Sequence, residues 1–405
     1  MQKNKFNRPL SYLFAFGHLC SDINQGSLSA LLPFLIAAHN YNYATATMLV
    51  MASNIVGSVI QPIFGWLADK HSRPYIMSVG VLLAGGGMAL TGWLDNFYGI
   101  CAAVMLSGVG VAMFHPQAAQ LVNRNADPNH KGTDLGIFSF GGNLGFTIGP
   151  LLTSAFISLF GLRGTLVYFL PALLFSFVTT LVFRDAETPA AEQPVETTAS
   201  KIKAAAAVPV PDNWGAFGCL SLLVVCRSII YSGINTFLVL YFVTNYGLDK
   251  NVATVFLSVY YAIAAVSALL GGRLADNFGS RRMIRLAFGI LLLGLLLFSM
   301  VNNILLLLGL LLPLGIGISL GYSPMVLLGQ TYLPNHVGFA SGVTLGLVVS
   351  VGGIVSPVLG RLADLHGLGA VFGALTVISV VPLLLSWLLP APRHLLNART
   401  NVDEV

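Results

Sequence analysis

The stretch GWLADKHSR at residues 65–73 indicates an internal duplication, because four of its first five residues return in the run GRLAD at residues 272–276. Other residues repeat in the same order at the same offset of 207 positions: Gly108 and Gly110 match Gly315 and Gly317, Gly145 matches Gly352, and Pro150 matches Pro357. The run PNH at residues 128–130 returns at 334–336, an offset of 206. Ordered matches of this kind indicate a chain built from two structural repeats.

The composition excludes a water-soluble globule. Of the 405 residues, 56% are hydrophobic and only 9% are charged, whereas soluble domains carry about a quarter charged residues. Apolar stretches of about 20 residues, each long enough to cross a hydrocarbon core of about 30 Å, recur along the chain. We count twelve of them, at residues 11–37, 46–68, 75–94, 97–122, 135–160, 164–184, 214–244, 251–274, 282–301, 303–330, 338–362 and 368–389. The sequence therefore predicts an all-α membrane protein with six spans in each repeat.

The distribution of basic residues predicts the orientation of these spans. With the N-terminus in the cytoplasm, sixteen of the 20 Lys and Arg residues fall on the cytoplasmic side, three fall outside, and Arg227 lies within a span. This asymmetry follows the positive-inside rule and places both termini in the cytoplasm. The net charge of +5 is therefore explained by topology, and it implies no nucleic-acid partner.

One long polar segment divides the chain. Residues 185–213 are rich in Ala, Pro, Glu and Thr, which is typical of a flexible linker. We expect an N-terminal six-helix bundle over residues 1–184, this cytoplasmic linker, and a C-terminal six-helix bundle with a short cytoplasmic tail over residues 214–405. The first span contains polar residues and lacks a small-residue cleavage site, so it is not expected to be a cleaved signal peptide.

The loop run at 65–73 and its echo at 272–282 resemble the cytoplasmic loop signature of the major facilitator superfamily, although Ser72 replaces the usual second glycine. The resemblance covers essentially the whole chain. It implies two pseudo-symmetric six-helix bundles that transport a small molecule by alternating access, in a monomer that crosses the bacterial inner membrane many times. The runs at 17–25, 114–116 and 141–150 are similar to drug-efflux antiporters of that superfamily.

The loop signature implies a conformational switch. An aspartate at its end can meet the positive end of a neighbouring helix, and its glycine lets two helices approach closely. The residues to which the resemblance assigns this switch are Gly65, Asp69, Arg73, Gly272, Asp276 and Arg281. The alternative is a turn that carries positive-inside charges. A third run, GRLAD at 360–364, lies at the outer end of the eleventh span without a counterpart in the first repeat, and we interpret it as a chance match.

The fifth span contains the antiporter-like residues Gly145, Gly149 and Pro150. Small residues allow close packing, and proline bends a helix. The pair of glycines that usually follows is absent, because Leu151 and Leu152 stand there. The motif supports antiport, and a plain packing seam is the alternative.

The first span carries three polar residues on one narrow helical face. His18, Asp22 and Gln25 follow the spacing i, i+4 and i+7. Asp22 lies about 15 Å from the cytoplasmic end of its helix, near the middle of the hydrocarbon. A carboxylate at that depth tends to take up a proton unless a cation or water compensates it. We therefore predict that Asp22 and His18 take part in proton coupling, with a polar triad that only joins helices as the alternative.

The seventh span carries the basic counterpart. Arg227 is the only Lys or Arg deep within a span, at a depth similar to that of Asp22, and Tyr231 and Asn235 follow it on nearly the same face. A guanidinium keeps its charge at neutral pH and needs an anionic partner or an aqueous cavity. Either Asp22 or an anionic substrate can fill that role, and a static lock between Arg227 and Asp22 is the alternative. We predict that Arg227, Tyr231, Asn235 and Gln25 bind substrate.

His115 is the second titratable candidate. It lies in the fourth span just before Pro116, at about the same depth as His18. Proline frees a backbone carbonyl there, and an imidazole can change its charge near physiological pH. We predict that His115 relays protons, and that its counterpart in the second repeat, Tyr322, contributes to the substrate cavity. A histidine whose role is confined to helix packing is the alternative.

The sequence predicts a transporter and no enzyme. It contains no phosphate-binding loop, no nucleophile elbow and no hydrolytic metal signature, so we expect neither a cofactor nor a bound metal. Our main hypothesis is a drug:proton antiporter that exports small toxic organic compounds, anionic ones such as phosphonates included. Three alternatives stay open: a proton-coupled uptake symporter of an organic anion, an exporter of divalent metal ions, and a membrane receptor that binds without transport.

Overall fold

The structure, a computed structural model, describes residues 8–70, 74–125, 131–183 and 211–391. These residues form α-helices and one 3₁₀ helix, and they contain no strand. The helices are α1 (Arg8–His39), α2 (Tyr43–Lys70), α3 (Pro74–Leu90), α4 (Phe97–Asn125), α5 (Lys131–Phe160), α6 (Phe169–Phe183), α7 (Trp214–Tyr246), α8 (Lys250–Phe278), α9 (Ser280–Met300), α10 (Ile304–Ser319), α11 (Tyr322–Tyr332), α12 (Val337–His366) and α13 (Leu368–Leu388). The predicted all-α class is confirmed.

The predicted spans match these helices with two local differences. The sixth span begins with the 3₁₀ helix Gly161–Tyr168, and the tenth is divided between α10 and α11 at Leu320 and Gly321. Seven helical stretches among the described residues are long and apolar enough, by length and composition, to cross a membrane, and α3 is a shorter apolar helix. The linker predicted at 185–213 lies outside the described residues except for 211–213.

Several helix ends follow from local chemistry. The side-chain oxygen of Asn213 accepts a hydrogen bond from Ala216 N, and that of Asn303 accepts from Leu305 N and Leu306 N. Both caps satisfy backbone N–H groups that have no partner within the helix. Gly247 ends α7 with a φ of 63°, a conformation that favours glycine.

The helices form two groups that meet along two seams. Within the first group, α1 packs on α5, and α3 packs on α4 and α6; within the second, α7 packs on α12 and α13, and α9 packs on α10 and α13. Between the groups, α2 lies against α12 and α5 lies against α8. This arrangement places α1 and α4 of the first half and α7 of the second half around the middle of the molecule.

The surface pattern is that of a protein whose solvent is lipid. Large apolar side chains such as Leu159, Val377 and Leu388 are exposed, while many polar groups, Asn24 and Gln117 among them, are buried. In lipid, burying a leucine side chain gains no hydrophobic free energy, whereas a polar group exposed to the acyl chains loses its hydrogen bonds at a large cost in free energy. The bundle therefore keeps its polar chemistry inside.

The two ends of the bundle are named here after the predicted orientation. The outer end carries the turns that follow α1, α7 and α12, and the inner end carries the start of α1 and the end of α13.

A stripe of glycines joins α5 to α1. A Cβ atom at Gly145 would lie 2.6 Å from Leu19 O, and one at Gly149 would lie 2.6 Å from Ile23 O. These separations are shorter than van der Waals contact, so only glycine lets the two helices approach this closely. The antiporter-like residues of α5 therefore form a packing seam against the helix that carries His18 and Asp22.

We expect Gly149→Ala to lower the stability of the purified protein by about 1–3 kcal/mol, because the added methyl group collides with the backbone of α1. Gly218→Ala is the matched control, since a Cβ atom there meets nothing within 4 Å. It should leave the melting temperature unchanged or raise it slightly, because alanine favours a helix over glycine. Equal melting temperatures for both variants in a thermal unfolding assay would contradict the seam.

Candidate functional site

Asp22 lies between two histidines. Its Oδ2 atom is 3.2 Å from His18 Nε2, one turn earlier on α1, and its Oδ1 atom is 2.9 Å from His115 Nε2 on α4. Only 5% of Asp22 is exposed. We call these three residues the carboxylate triad. The predicted neighbours His18 and Asp22 are thus joined by His115, which the fold brings in from another helix.

A backbone contact fixes the proton on one side of His18. Its Nδ1 atom is 2.8 Å from the carbonyl oxygen of Phe138 on α5. A carbonyl oxygen only accepts hydrogen bonds, so Nδ1 must donate. A neutral His18 then presents a lone pair at Nε2, and that lone pair faces Asp22. Because an ionised carboxylate also only accepts, Nε2 and Oδ2 attract each other only when a proton is shared between them.

Apolar and aromatic groups enclose the triad. The imidazole of His18 stacks on the ring of Phe138 with 4.1 Å between centroids, and it meets the imidazole of His115 edge-on at 5.0 Å. Phe114 lies beside both histidines. These rings limit water around the carboxylate, and they strengthen its electrostatic interactions.

Gly142 on α5 leaves room for the side chains of the triad. A Cβ atom at this position would lie 2.5 Å from His18 Nε2 and 2.7 Å from Asp22 Oδ2. Any larger residue would therefore push the pair apart. Sequence reasoning gave Gly142 and Phe138 no role. The signal that could have found Gly142 was the double glycine at 141–142 within the run similar to antiporters.

The triad also has the composition of a metal site. Its three candidate ligand atoms all lie within 4.8 Å of one another. Two imidazoles and a carboxylate suit several transition metals, and a backbone carbonyl that holds the second nitrogen of a ligating histidine is a common supporting contact. The geometry is therefore compatible with a shared proton and with a bound cation.

Arg227 lies in the second half without an acidic partner among the described residues. It is 3% exposed, and its Nε donates to the carbonyl oxygen of Ile318 at 2.8 Å. Its Nη1 atom is buried and has no hydrogen-bond partner in the described part of the chain. The guanidinium lies over the rings of Tyr322, at 5.2 Å, and Tyr231, at 5.7 Å. Cation–π contacts lower the energy of a buried cation but do not neutralise it.

The division of the tenth span supplies part of this environment. Ile318 lies in the last turn of α10, where backbone carbonyls lack partners within the helix. Tyr322 begins α11 directly after the break. The break therefore offers Arg227 both a carbonyl acceptor and an aromatic face, as discontinuous helices do in other transporters.

Tyr231 lies beside Arg227 on α7, and its ring centre is 5.7 Å from the guanidinium carbon. Asp22 and Arg227 do not form an ion pair within 4.0 Å, since the ion pairs of Asp22 in the described structure are to the two histidines. Gln25 is partly buried on α1 and Asn235 is buried on α7. Tyr231 and Asn235 thus share α7 with Arg227, and Gln25 shares α1 with His18 and Asp22; these two helices pack against each other.

The predicted switch residues are only partly within the described structure. Arg73 lies outside it, and the side chains of Gly65, Asp69 and Asp276 are not described. Arg281 donates from Nη1 to the carbonyl oxygen of Leu389 at 3.2 Å, at the end of α13 in its own half. The switch therefore stays a prediction.

Comparison with known proteins places the chain in a family. Residues 14–357 match the family model of the Major Facilitator Superfamily. The fosmidomycin resistance protein of Escherichia coli (strain K12) is 26% identical over 392 residues, which cover 94% of this chain and 92% of that protein. The uncharacterized MFS-type transporter YfnC of Bacillus subtilis (strain 168) is 27% identical and covers 96% of this chain and 94% of its own length. A probable nitrate transporter, NarT of Staphylococcus haemolyticus, is 22% identical over 87% of this chain and 91% of its own.

Solved structures share the fold. A bacterial homolog of the human lysosomal transporter Spinster superimposes with a TM-score of 0.79 at 13% identity, over 95% of this chain and 97% of that one. The nucleoside transporter NupG gives a TM-score of 0.74 at 13% identity, over 94% and 100% of the two chains. Twelve spans in two pseudo-symmetric bundles and a family model that covers most of the sequence lead to one conclusion: the chain belongs to the Major Facilitator Superfamily and is a multi-pass membrane transporter of small molecules, not an enzyme.

Proposed function

We propose that this transporter exports small toxic organic compounds in exchange for protons, with the carboxylate triad as the proton site and Arg227 as the site for an anionic group of the substrate. The observation that carries the proposal is the pair of facing acceptors, His18 Nε2 and Asp22 Oδ2, which need a proton between them. The drug-resistance name of the relative from Escherichia coli supports the choice of cargo.

The proton site is argued from desolvation. An ionised carboxylate within the membrane is costly, and Asp22 is almost completely buried. A proton shared with His18 or His115 lowers that cost, because it replaces a lone charge by hydrogen-bonded, partly neutralised groups. Loss of the proton leaves Asp22 charged between two neutral imidazoles, one of which still points a lone pair at it. The protonated and deprotonated triads therefore favour different surroundings, and each facing of the transporter can favour one of them.

The anion site is argued from the unused hydrogen-bonding capacity of Arg227. Among the described residues this buried guanidinium has an unpaired Nη1 and no acidic neighbour, so it retains a large attraction for an anion. Phosphonates and carboxylates fit the planar fork of donors. The aromatic rings of Tyr231 and Tyr322 add apolar surface for the rest of the compound.

Exchange requires that proton and substrate compete. Asp22 lies on α1 and Arg227 on α7, two helices that pack against each other, so a compound held by Arg227 can extend toward the triad. A compound that reaches the triad would take the place of the shared proton and release it. Substrate capture and proton release then occur in the same inward facing, and the proton returns in the outward facing after the substrate leaves.

A symporter of organic anions is the second candidate, and one observation favours it. Asp22 pairs with histidines and leaves Arg227 free of it. A proton on the triad adds positive charge on the side of Arg227, and this charge attracts an anion. Anion and proton would therefore bind together. The fixed charge of Arg227 also disfavours the third alternative, a divalent metal ion at the triad.

Asp22→Asn should abolish transport driven by a pH gradient, because the amide cannot take up a proton. The measurement is uptake of fosmidomycin into inverted vesicles, with and without an imposed gradient. Asp95→Asn is the matched control, since Asp95 is an exposed carboxylate in the turn after α3. Gradient-driven transport that persists in Asp22→Asn at the rate of Asp95→Asn would contradict the proton site.

Arg227→Gln should weaken protection of cells against anionic compounds by about tenfold or more, the size of one lost charge-assisted hydrogen bond. Protection against cationic compounds of similar size should change little. Growth inhibition by fosmidomycin and by a cationic dye in the same strain measures both. An equal loss for both compounds, with normal amounts of protein in the membrane, would argue against an anion site at Arg227.

The direction of proton movement separates the two candidates. When substrate enters inverted vesicles, an antiporter releases protons from their lumen, whereas a symporter carries protons in. We expect the lumen to become more alkaline, as recorded by an enclosed pH-sensitive dye. If the lumen became more acidic as substrate entered, the protein would be a symporter of an organic anion and not an exporter. The proposed proton and anion sites would still stand.

A further inference from the structure

The run GRLAD at residues 360–364 is the third occurrence of the pattern seen at 65–69 and 272–276, and it lies where the two halves meet at the outer end. Sequence reasoning interpreted it as a chance match because it has no counterpart in the first repeat. In the structure it lies at the end of α12, against the start of α2 in the other half. Its contacts differ from those of an ordinary helix seam.

Asp364 caps a helix that belongs to the opposite half. Its Oδ1 atom accepts a hydrogen bond from Tyr43 N at 2.9 Å, and its Oδ2 atom accepts from Ala44 N at 3.0 Å. These are the first two N–H groups of α2, which have no acceptor within their own helix. The positive end of the helix dipole adds to the attraction for the carboxylate. Residues about 320 positions apart in the chain thus share a bidentate contact.

The start of α2 is only partly satisfied by its own chain. The side chain of Asn42 accepts from Thr45 N at 2.8 Å, one turn into the helix. It leaves the N–H groups of Tyr43 and Ala44, which Asp364 takes. Because Asn42 caps one N–H group and Asp364 caps two others, the start of α2 is fully capped only while α12 lies against it.

Gly360 sets the distance between the two helices. A Cβ atom there would lie 2.5 Å from Thr47 Oγ1 and 2.8 Å from Tyr43 O. Gly360 and Asp364 are one turn apart on the same face of α12, so the glycine brings the helices together where the aspartate reaches the backbone of α2. The pattern of glycine and aspartate at i and i+4 therefore has a physical role.

Further contacts join the halves at the same end, among them Lys250 Nζ on α8, which lies over the ring of Phe34 on α1 at 5.8 Å from its centre. The hydroxyl of Tyr43 lies 3.0 Å from Thr244 Oγ1 on α7, and Ser154 Oγ on α5 donates to Asn251 O on α8 at 3.2 Å. The two hydrogen bonds join neutral groups, and each is weaker than a contact to a carboxylate. Asp364 supplies the only carboxylate among these contacts of the described residues.

We propose that Gly360 and Asp364 form an outer latch, which stabilises the facing in which the outer ends of the two halves are closed. Opening toward the outside separates α12 from α2, and both hydrogen bonds to Asp364 must break together. The latch is reversible because water can take the place of the carboxylate at the start of α2. It performs at the outer end the task that the resemblance assigns to the loop signature at the inner end, and it depends neither on the substrate nor on the proton site.

The test measures the distance between the halves at the outer end. Spin labels are placed at D95C in the first half and N302C in the second, both exposed positions, after Cys20, Cys101, Cys219 and Cys226 are changed to serine. Double electron–electron resonance spectroscopy of the purified full-length protein then gives the populations of short and long distances between the two spin labels. We expect Asp364→Ala to raise the ratio of long to short distances about tenfold or more, the equivalent of one charge-assisted hydrogen bond.

A matched control separates the latch from helix capping in general. Asn303 also accepts from two N–H groups at a helix start near the outer end, Leu305 N and Leu306 N, but within its own half. Asn303→Ala should leave the distances unchanged. Gly360→Leu should reproduce the shift of Asp364→Ala by steric means, and it serves as well if Asp364→Ala does not fold. Wild-type distances in both latch variants, or an equal shift in Asn303→Ala, would overturn the proposal.

Discussion

A carboxylate that cannot reach bulk water is the constraint on which the rest of the site depends. Asp22 is buried in the first half, and its two oxygens have only the imidazoles of His18 and His115 as ion-pair partners within the described structure. Because the second nitrogen of His18 is committed to a backbone carbonyl, the remaining proton must be shared with Asp22. Gly142 is small because the pair needs that space, and the glycine seam between α5 and α1 holds the helices at the required distance.

The same constraint, with the opposite sign, applies in the second half. Arg227 cannot lose its charge, so the fold surrounds it with what a membrane interior can offer: a carbonyl at the break between α10 and α11, and two aromatic faces. The two halves thus present a titratable anion and a permanent cation, on helices α1 and α7, which pack against each other. The seams that join the halves lie elsewhere, along α2 with α12 and α5 with α8. The triad and Arg227 stand on α1, α4 and α7, whereas α5 takes part in both regions, since Phe138 and Gly142 lie against the triad and the same helix packs on α8.

Much of this follows from the sequence, and the remainder depends on packing between distant segments. Hydrophobic length and the duplicated residues predict the bundles, and the i, i+4 spacing places His18 beside Asp22. That His115 completes the triad depends on how α4 packs on α1, which no local pattern encodes. The break at Leu320 and Gly321 was not predicted, since an apolar stretch reads as one continuous span. The contact of Asp364 was missed for the same reason: its partners are backbone N–H groups of a helix in the other half.

In the proposed mechanism the triad holds an exchangeable proton whose binding is linked to that of the substrate. The change in pH of a weakly buffered solution of the purified transporter, when fosmidomycin is added, measures this linkage. We expect protons to be released in proportion to the substrate bound, and we expect the Asp22→Asn variant to bind without any release. Substrate binding without a pH change in the unaltered protein, or with the same release from both proteins, would contradict this linkage.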